Sequence, residues 1–208
     1  MNIEIIPVTA FQQNCSLIWD DEKNAAIIDP GGEAEKLIGR IEELGLNLEA
    51  ILLTHAHLDH VGAAKQVKQH FGVEIWGPQE EDRFLFDSLP EQSQRFGMPM
   101  IHAFLPDRWL HEGETIHAGG GIFEILHLPG HTPGHIGFIE KQKKAAFTGD
   151  VLFQGSIGRT DLPGGNYTQL ISAIREKLFK LNDDMIIIAG HGPYTTIEHE
   201  KTNNPFLK

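Results

Sequence analysis

Short apolar runs separated by turn residues open the chain. Ile3–Val8, Cys15–Trp19 and Ala25–Asp29 have strand length, and the polar DDEKN between the last two predicts a hairpin. The period then changes: Ala34, Leu37, Ile38, Ile41 and Leu44 recur at helical spacing, with Gly45 placed for a left-handed cap. A strand over Ala50–Leu53 runs into THAHLDHVG, after which Val61, Ala64, Val67 and Phe71 predict a second helix stopped by Gly72. From Gly77 to Leu110 the pattern is broken by Pro78, Pro90, Pro99 and Pro106, and only a helix near Gln79–Ser88 emerges. Phe123–Leu128, His135–Glu140 and Ala145–Gly149 predict three more strands, the last two joined by KQKK. A helix follows on Leu170, Ile171, Ile174, Leu178 and Leu181 with Asn166 as N-cap, and then a buried strand at Met185–Gly190.

Strands and helices alternating in this way imply two sheets packed face to face with helices outside, an α/β four-layer αββα sandwich. No repeat or long linker interrupts the 208 residues, so residues 1–208 are expected to form one domain. The net charge of −12 opposes a phosphate-backbone partner and an acidic membrane surface. One cysteine, Cys15, rules out an internal disulfide and a Cys-rich zinc module, and reads as a small apolar filler. No apolar run approaches the ~20 residues of a membrane span, and the N-terminus lacks a basic leader. The expectation is a cytoplasmic protein without nucleic-acid or membrane partners; its oligomeric state is open.

Histidine changes the picture. THAHLDH supplies His55, His57, Asp59 and His60 after one strand, PGHTPGH supplies His131 after another, FTGD supplies Asp150 and AGHGP supplies His191. The first four stand in a loop at the carboxyl end of a strand, where α/β sheets place ligands, and His131, Asp150 and His191 each follow a strand beside glycine that lets the backbone turn toward a shared centre. Neutral imidazoles suit Zn²⁺ or Fe²⁺, and a carboxylate can join two cations. Five histidines and two aspartates exceed the needs of one tetrahedral ion and suit two divalent ions, Zn²⁺ first, with Fe or Mn as alternatives. Such a pair would make water nucleophilic near neutral pH and favour an anionic transition state. His70, His102, His111, His117, His127 and His199 lack this setting. His135 reads equally as a support for the ligands or as packing. Asp29 reads as an acceptor for a ligand imidazole or as a turn former.

These motifs, in this order from Ile3 to Pro193, resemble the metallo-β-lactamase superfamily. The resemblance implies the αββα sandwich, with His55, His57 and His131 on one ion, Asp59, His60 and His191 on the other, and Asp150 between them. Within it, GDVLFQGSIGRTDLPGG and the closing NNPFL are similar to short, single-domain glyoxalase II-like hydrolases. That implies hydrolysis of a glutathione thioester, S-lactoylglutathione, to lactate and glutathione by a metal-bridging hydroxide, with Asp59 also taking a proton as catalytic base. Full-length glyoxalase II enzymes add a helical C-terminal domain that contacts glutathione, and the expectation here is a chain without it. Arg159 is the basic residue best placed to touch substrate, unless it simply pairs with Asp161; Tyr194 is a second candidate contact. Lys141, Lys143 and Lys144 read as a solvated turn. Two rival readings use the same scaffold: a persulfide dioxygenase holding one Fe(II) on His55, His131 and Asp150, and a hydrolase of another small ester or lactone.

Overall fold

The computed structural model describes residues 1–208. Five strands form the first sheet in sequence order: β1 (Asn2–Val8), β2 (Gln13–Trp19), β3 (Asn24–Ile28), β4 (Asn47–Leu52) and β5 (Glu74–Trp76). The β1–β2 and β2–β3 pairs are antiparallel and the next two are parallel. A parallel neighbour needs a crossover, and here these are α1 (Ala34–Glu43) and the broken pair α2 (Leu58–Val61) and α3 (Ala64–Phe71). The predicted second helix therefore begins earlier and is interrupted at Gly62. A β-carbon on Gly62 would stand 2.4 Å from the carbonyl of Gly31, so the chain passes this point only as glycine.

Beyond β5 the predicted Gln79–Ser88 helix resolves into a 3₁₀ turn at Glu80–Asp82 and α4 (Arg83–Asp87), and a further helix follows, α5 (Leu89–Phe96). Pro90 occupies the first turn of α5, where no amide hydrogen is required. The second sheet has the order β13-β12-β9-β8-β7-β6, built from β6 (Thr115–Ala118), β7 (Gly121–His127), β8 (Ile136–Glu140), β9 (Ala145–Gly149), β12 (Ile186–Ala189) and β13 (Thr195–Thr196). Between β9 and β12 come the small hairpin β10 (Leu152–Phe153) and β11 (Ser156–Ile157), then α6 (Tyr167–Glu176), whose N-terminal amide at Gln169 is capped by the Asn166 side chain. Leu178, read as part of that helix, lies in a following 3₁₀ turn. A last helix, α7 (Ile197–Asn203), ends the described elements.

Three apolar clusters account for the layers. Ile18, Ile28 and Leu52 of the first sheet meet Phe123, Phe138 and Phe147 of the second in the central one. Leu37 and Ile41 of α1 and Val67 of α3 close the outer face of the first sheet, and Leu170 and Ile174 of α6 that of the second. Each such side chain contributes ~1.5–3 kcal/mol of burial. This is the αββα sandwich. At one edge the sheets are tied directly: Ile136 N–H donates to Thr54 O at 2.8 Å, and Asn14 N–H to Gly190 O at 2.7 Å. No helix is long and apolar enough to cross a membrane.

Candidate metal centre

The tied edge carries every ligand-type residue singled out above. His55 and His57 follow β4, His131 follows β7, Asp150 follows β9 and His191 follows β12; Asp59 and His60 lie on α2. Two groups form. His57 Nδ1 stands 3.1 Å from His55 Nε2 and 2.9 Å from His131 Nε2, while Asp59, His60 and His191 make the second group. Asp150 lies between them: its Oδ2 is 3.6 Å from both His131 Nε2 and His191 Nε2, and its Oδ1 is 3.4 Å from His60 Nε2.

The rest of the chain fixes which ring nitrogen faces inward. His131 Nδ1–H donates to Arg159 O at 2.7 Å and His191 Nδ1–H to Phe11 O at 3.1 Å. His60 Nδ1–H donates to Asp29 Oδ2 at 2.9 Å. His55 Nδ1–H donates to Thr54 Oγ1 at 3.0 Å, and that hydroxyl donates to Asp29 Oδ2 at 2.6 Å. Asp29 thus orients two inward-facing histidines, one directly and one through Thr54, and it also accepts the Thr54 N–H at 2.7 Å. Outer-sphere acceptors of this kind set ligand orientation and basicity, so Asp29→Ala is expected to weaken divalent-metal affinity about 10- to 100-fold in a chelator competition titration. Unchanged affinity would mean that the rings are held by other contacts.

These inward atoms fit cations. His60 Nε2 and Asp150 Oδ1 are buried without a hydrogen-bond partner, which a folded protein avoids unless something else satisfies them. Three imidazole nitrogens converge within about an ordinary contact of one another, and two nitrogens on a tetrahedral ion at ~2.0–2.1 Å are themselves only about 3.3 Å apart. Charge points the same way. Burial, then the neighbouring imidazoles, push His55 well down, and burial beside His131 pushes His57 down to about 3; His131 is also lowered by burial. Asp150 is held far below the carboxylate range because His60, His131 and His191 outweigh its burial, and Asp59 is lowered by His60 and His191. Burial pushes His60 down as well, but the charges of Asp150 and Asp59 lift it well above 6.5. The cluster therefore offers neutral imidazoles at His55, His57 and His131, and ionised carboxylates at Asp59 and Asp150 that draw positive charge toward His60 and His191, where a bound cation would take the place of protons. Glycine makes room for it: a β-carbon on Gly190 would stand 2.2 Å from Asp150 Oδ1, and one on Gly31 only 1.5 Å from the Asp59 carbonyl.

Beside this cluster lies a cavity of about 390 Å³ reached by His57, Asp59, His131, Asp150 and His191. Its walls are apolar, with Phe11, Leu58, Phe96, Phe153, Ile157 and Leu162, and the Phe11 and Phe96 rings meet edge to face at 6.1 Å. A larger hollow of about 870 Å³ beside the start of α1 holds no histidine. Arg159 lines the smaller cavity but is also paired with Asp161 through Nε at 2.8 Å and Nη2 at 2.7 Å. Tyr194 does not line it and is 73% exposed. His135 is fully buried, stacks on His55 at 4.6 Å and accepts the Asp150 N–H at 3.1 Å, so it supports the cluster from behind. Cys15 is fully buried among apolar neighbours.

One supporting residue has no signature in the sequence. Asp82, in the 3₁₀ turn before α4, accepts the N–H of Ala56 at 3.1 Å, the hydroxyl of Thr132 at 2.8 Å and the N–H of Gly134 at 2.7 Å. It thereby clamps the His55–His57 loop to the His131 loop. Asp82→Ala leaves three buried donors unpaired, an expected loss of at least ~3 kcal/mol, read as a fall in melting temperature of roughly 6–12 °C.

The chain is similar to known proteins over nearly its whole length. The metallo-beta-lactamase superfamily model matches residues 8–191. Hydroxyacylglutathione hydrolase GloC of Haemophilus influenzae is 77% identical over 100% of this chain and 98% of its own length. Among solved structures, the BLEG-1 B3 metallo-beta-lactamase superposes with a TM-score of 0.93 at 39% identity, covering 99% of both chains. TTHA1623 in a di-iron-bound form gives 0.90 at 37% identity, covering 98% of this chain and 100% of the other.

Proposed function

The chain belongs to the metallo-beta-lactamase superfamily, and we propose that within it the protein is a metal-dependent thioester hydrolase that cleaves S-lactoylglutathione to lactate and glutathione. The observation that carries this reading is the pair of ligand groups with Asp150 Oδ2 at 3.6 Å from a histidine of each. His55, His57 and His131 would hold one divalent cation, Asp59, His60 and His191 a second, and Asp150 would face both. Cations held there would polarise a carbonyl oxygen and lower the pKa of water; Zn²⁺, Fe²⁺ and Mn²⁺ all suit such donors.

The residues around that centre do the rest. Asp59 borders the cavity and is ionised at neutral pH, which fits it to take a proton from the attacking water. Arg159 O and Phe11 O keep His131 and His191 with their lone pairs inward throughout. The apolar wall of Phe11, Phe96 and Phe153 excludes competing water and suits a short acyl chain. Water adds to the thioester carbonyl, the C–S bond breaks, and the thiolate leaves without a strong acid to assist it. The similarity to a hydroxyacylglutathione hydrolase supports the choice of thiol.

The test is release of thiol from S-lactoylglutathione by the metal-loaded protein. An expected kcat/KM lies in the ordinary enzyme range of about 10⁴–10⁸ M⁻¹s⁻¹. No thiol release at two metals per chain would overturn the reading, as would one iron per chain with oxygen uptake on glutathione persulfide.

A further inference from the structure

A second, smaller cavity of about 140 Å³ shares His57, Phe96 and Leu162 with the catalytic one and extends along α5, where Ser88, Glu91 and Arg95 line it. Glu91 and Arg95 are four residues apart, hence on one side of the helix one turn from each other. Neither is neutralised by an ion pair, in contrast to Arg40 with Glu4 and Glu43, Arg108 with Glu114, and Arg159 with Asp161. The Arg95 guanidinium carbon instead stands 5.7 Å from the centroid of Phe96, the ring that walls both cavities. α5 is itself anchored to the metal loop, since Gln92 Oε1 accepts the Leu58 N–H at 3.0 Å. The helix that carries these two charges is therefore held at a fixed place relative to the cluster.

A chain of net charge −12 that takes an anionic substrate needs local positive charge where carboxylates settle. Arg159 lines the cavity but shares its charge with Asp161 in an exposed pair, and Tyr194 lies away from the cavity. We propose that the Glu91–Arg95 cavity is the subsite for the free α-amino-acid end of the substrate thiol, the γ-glutamyl head of a glutathione thioester. Arg95 would receive its α-carboxylate and Glu91 its α-ammonium. An unpaired cation and anion one helical turn apart are complementary to a zwitterion, whereas either charge alone would fit only half of it. This rests on the thioesterase reading above and names where on the chain the thiol part is recognised.

The experiment uses three lactoyl thioesters with the metal-loaded protein: that of glutathione, that of cysteinylglycine, which lacks the γ-glutamyl group, and that of uncharged N-acetylcysteamine. The wild type is expected to favour the glutathione thioester over the cysteinylglycine one by about tenfold in kcat/KM. Arg95→Ala is expected to raise KM for the glutathione thioester about five- to tenfold with kcat within about twofold, as for loss of a uniform binding contact. It should leave the other two substrates unchanged. Glu91→Gln should act in the same direction and more weakly; both side chains are exposed, so neither change threatens the fold. A wild type indifferent to the γ-glutamyl group, or an Arg95→Ala variant that slows all three substrates alike, would overturn the subsite while leaving the thioesterase intact. A wild type that hydrolyses none of the three would instead bring down the thioesterase reading and the subsite with it.

Discussion

Replacing Asp150 by alanine is expected to lower thioester turnover by at least ~10³-fold, about 4 kcal/mol of transition-state stabilisation, and to reduce bound metal from two ions per chain toward one or none. The reason is position. Asp150 alone approaches His131, His191 and His60 together, so its loss removes a donor shared by both groups and one of the two carboxylates that offset the charge of two cations. The fold should survive, because the Asp150 N–H bond to His135 is made by the backbone and is kept in the variant. Metal analysis and thiol release on the same preparation separate the outcomes. A variant that keeps two metals and full turnover would show that Asp150 does not join the two groups.

Most of the centre was legible because metal ligation needs particular residue types at particular spacings, and glycines beside them are forced by close approach. Gly31 and Gly190 fit against Asp59 and Asp150 in a way no side chain would allow. The layered fold was legible for a related reason: α1 buries one face and repeats at helical period, while β2, β8 and β9, buried on both faces, stand out as short apolar runs. What escaped is too short or too polar to give such a signal, as in β6, whose four residues TIHA alternate in burial. β5, β10, β11 and β13 are two or three residues long. α7 has the sequence IEHEKTN, and the residues it buries are Ile197 and the charged Glu200, which is held by Thr195, Asn204 and Gly155. α5 was hidden by Pro90, which as a breaker argues against a helix and as a first-turn residue starts one. Asp82 sits in an acidic run where nothing in the neighbouring residues marks it as buried; only the arrival of two distant loops makes it a clamp. For Arg159 and Tyr194 loop conformation decides: Arg159 lines the cavity while paired with Asp161, and Tyr194 lies outside it, 73% exposed.

Removing the cations is the other change with a large expected effect, and its pH dependence follows from the cluster. Chelation should abolish thioester hydrolysis, with activity restored by added divalent metal. It should also lower the melting temperature at pH 7 by about 8–16 °C, since ligands present at a thousandfold excess over Kd contribute ~4 kcal/mol to the folded state. The stripped protein should then lose further stability in acid. His57, held at about 3 by burial, and His55, His131 and His135, also lowered by burial, stay neutral in the folded chain while their unfolded counterparts take up protons below 6.5. The unfolded state thus binds more protons as pH falls from 6.5 toward 3, and stability declines by up to ~1.4 kcal/mol per pH unit for each such histidine. His60 and His191, which the aspartates hold above 6.5, act on the other side: their contribution is present below 6.5 and is lost as pH rises through their folded values. Asp59 and Asp150, lowered in the fold, add to the acid loss only near and below 3.8. The stripped protein should therefore melt highest close to pH 6.5 and fall steeply toward pH 4. Because protons and metal compete for the same ring nitrogens, the gap between loaded and stripped protein should narrow over that range. Identical melting curves with and without chelator, on protein shown to be metal-free by analysis, would mean that the inward-facing cluster is satisfied without cations.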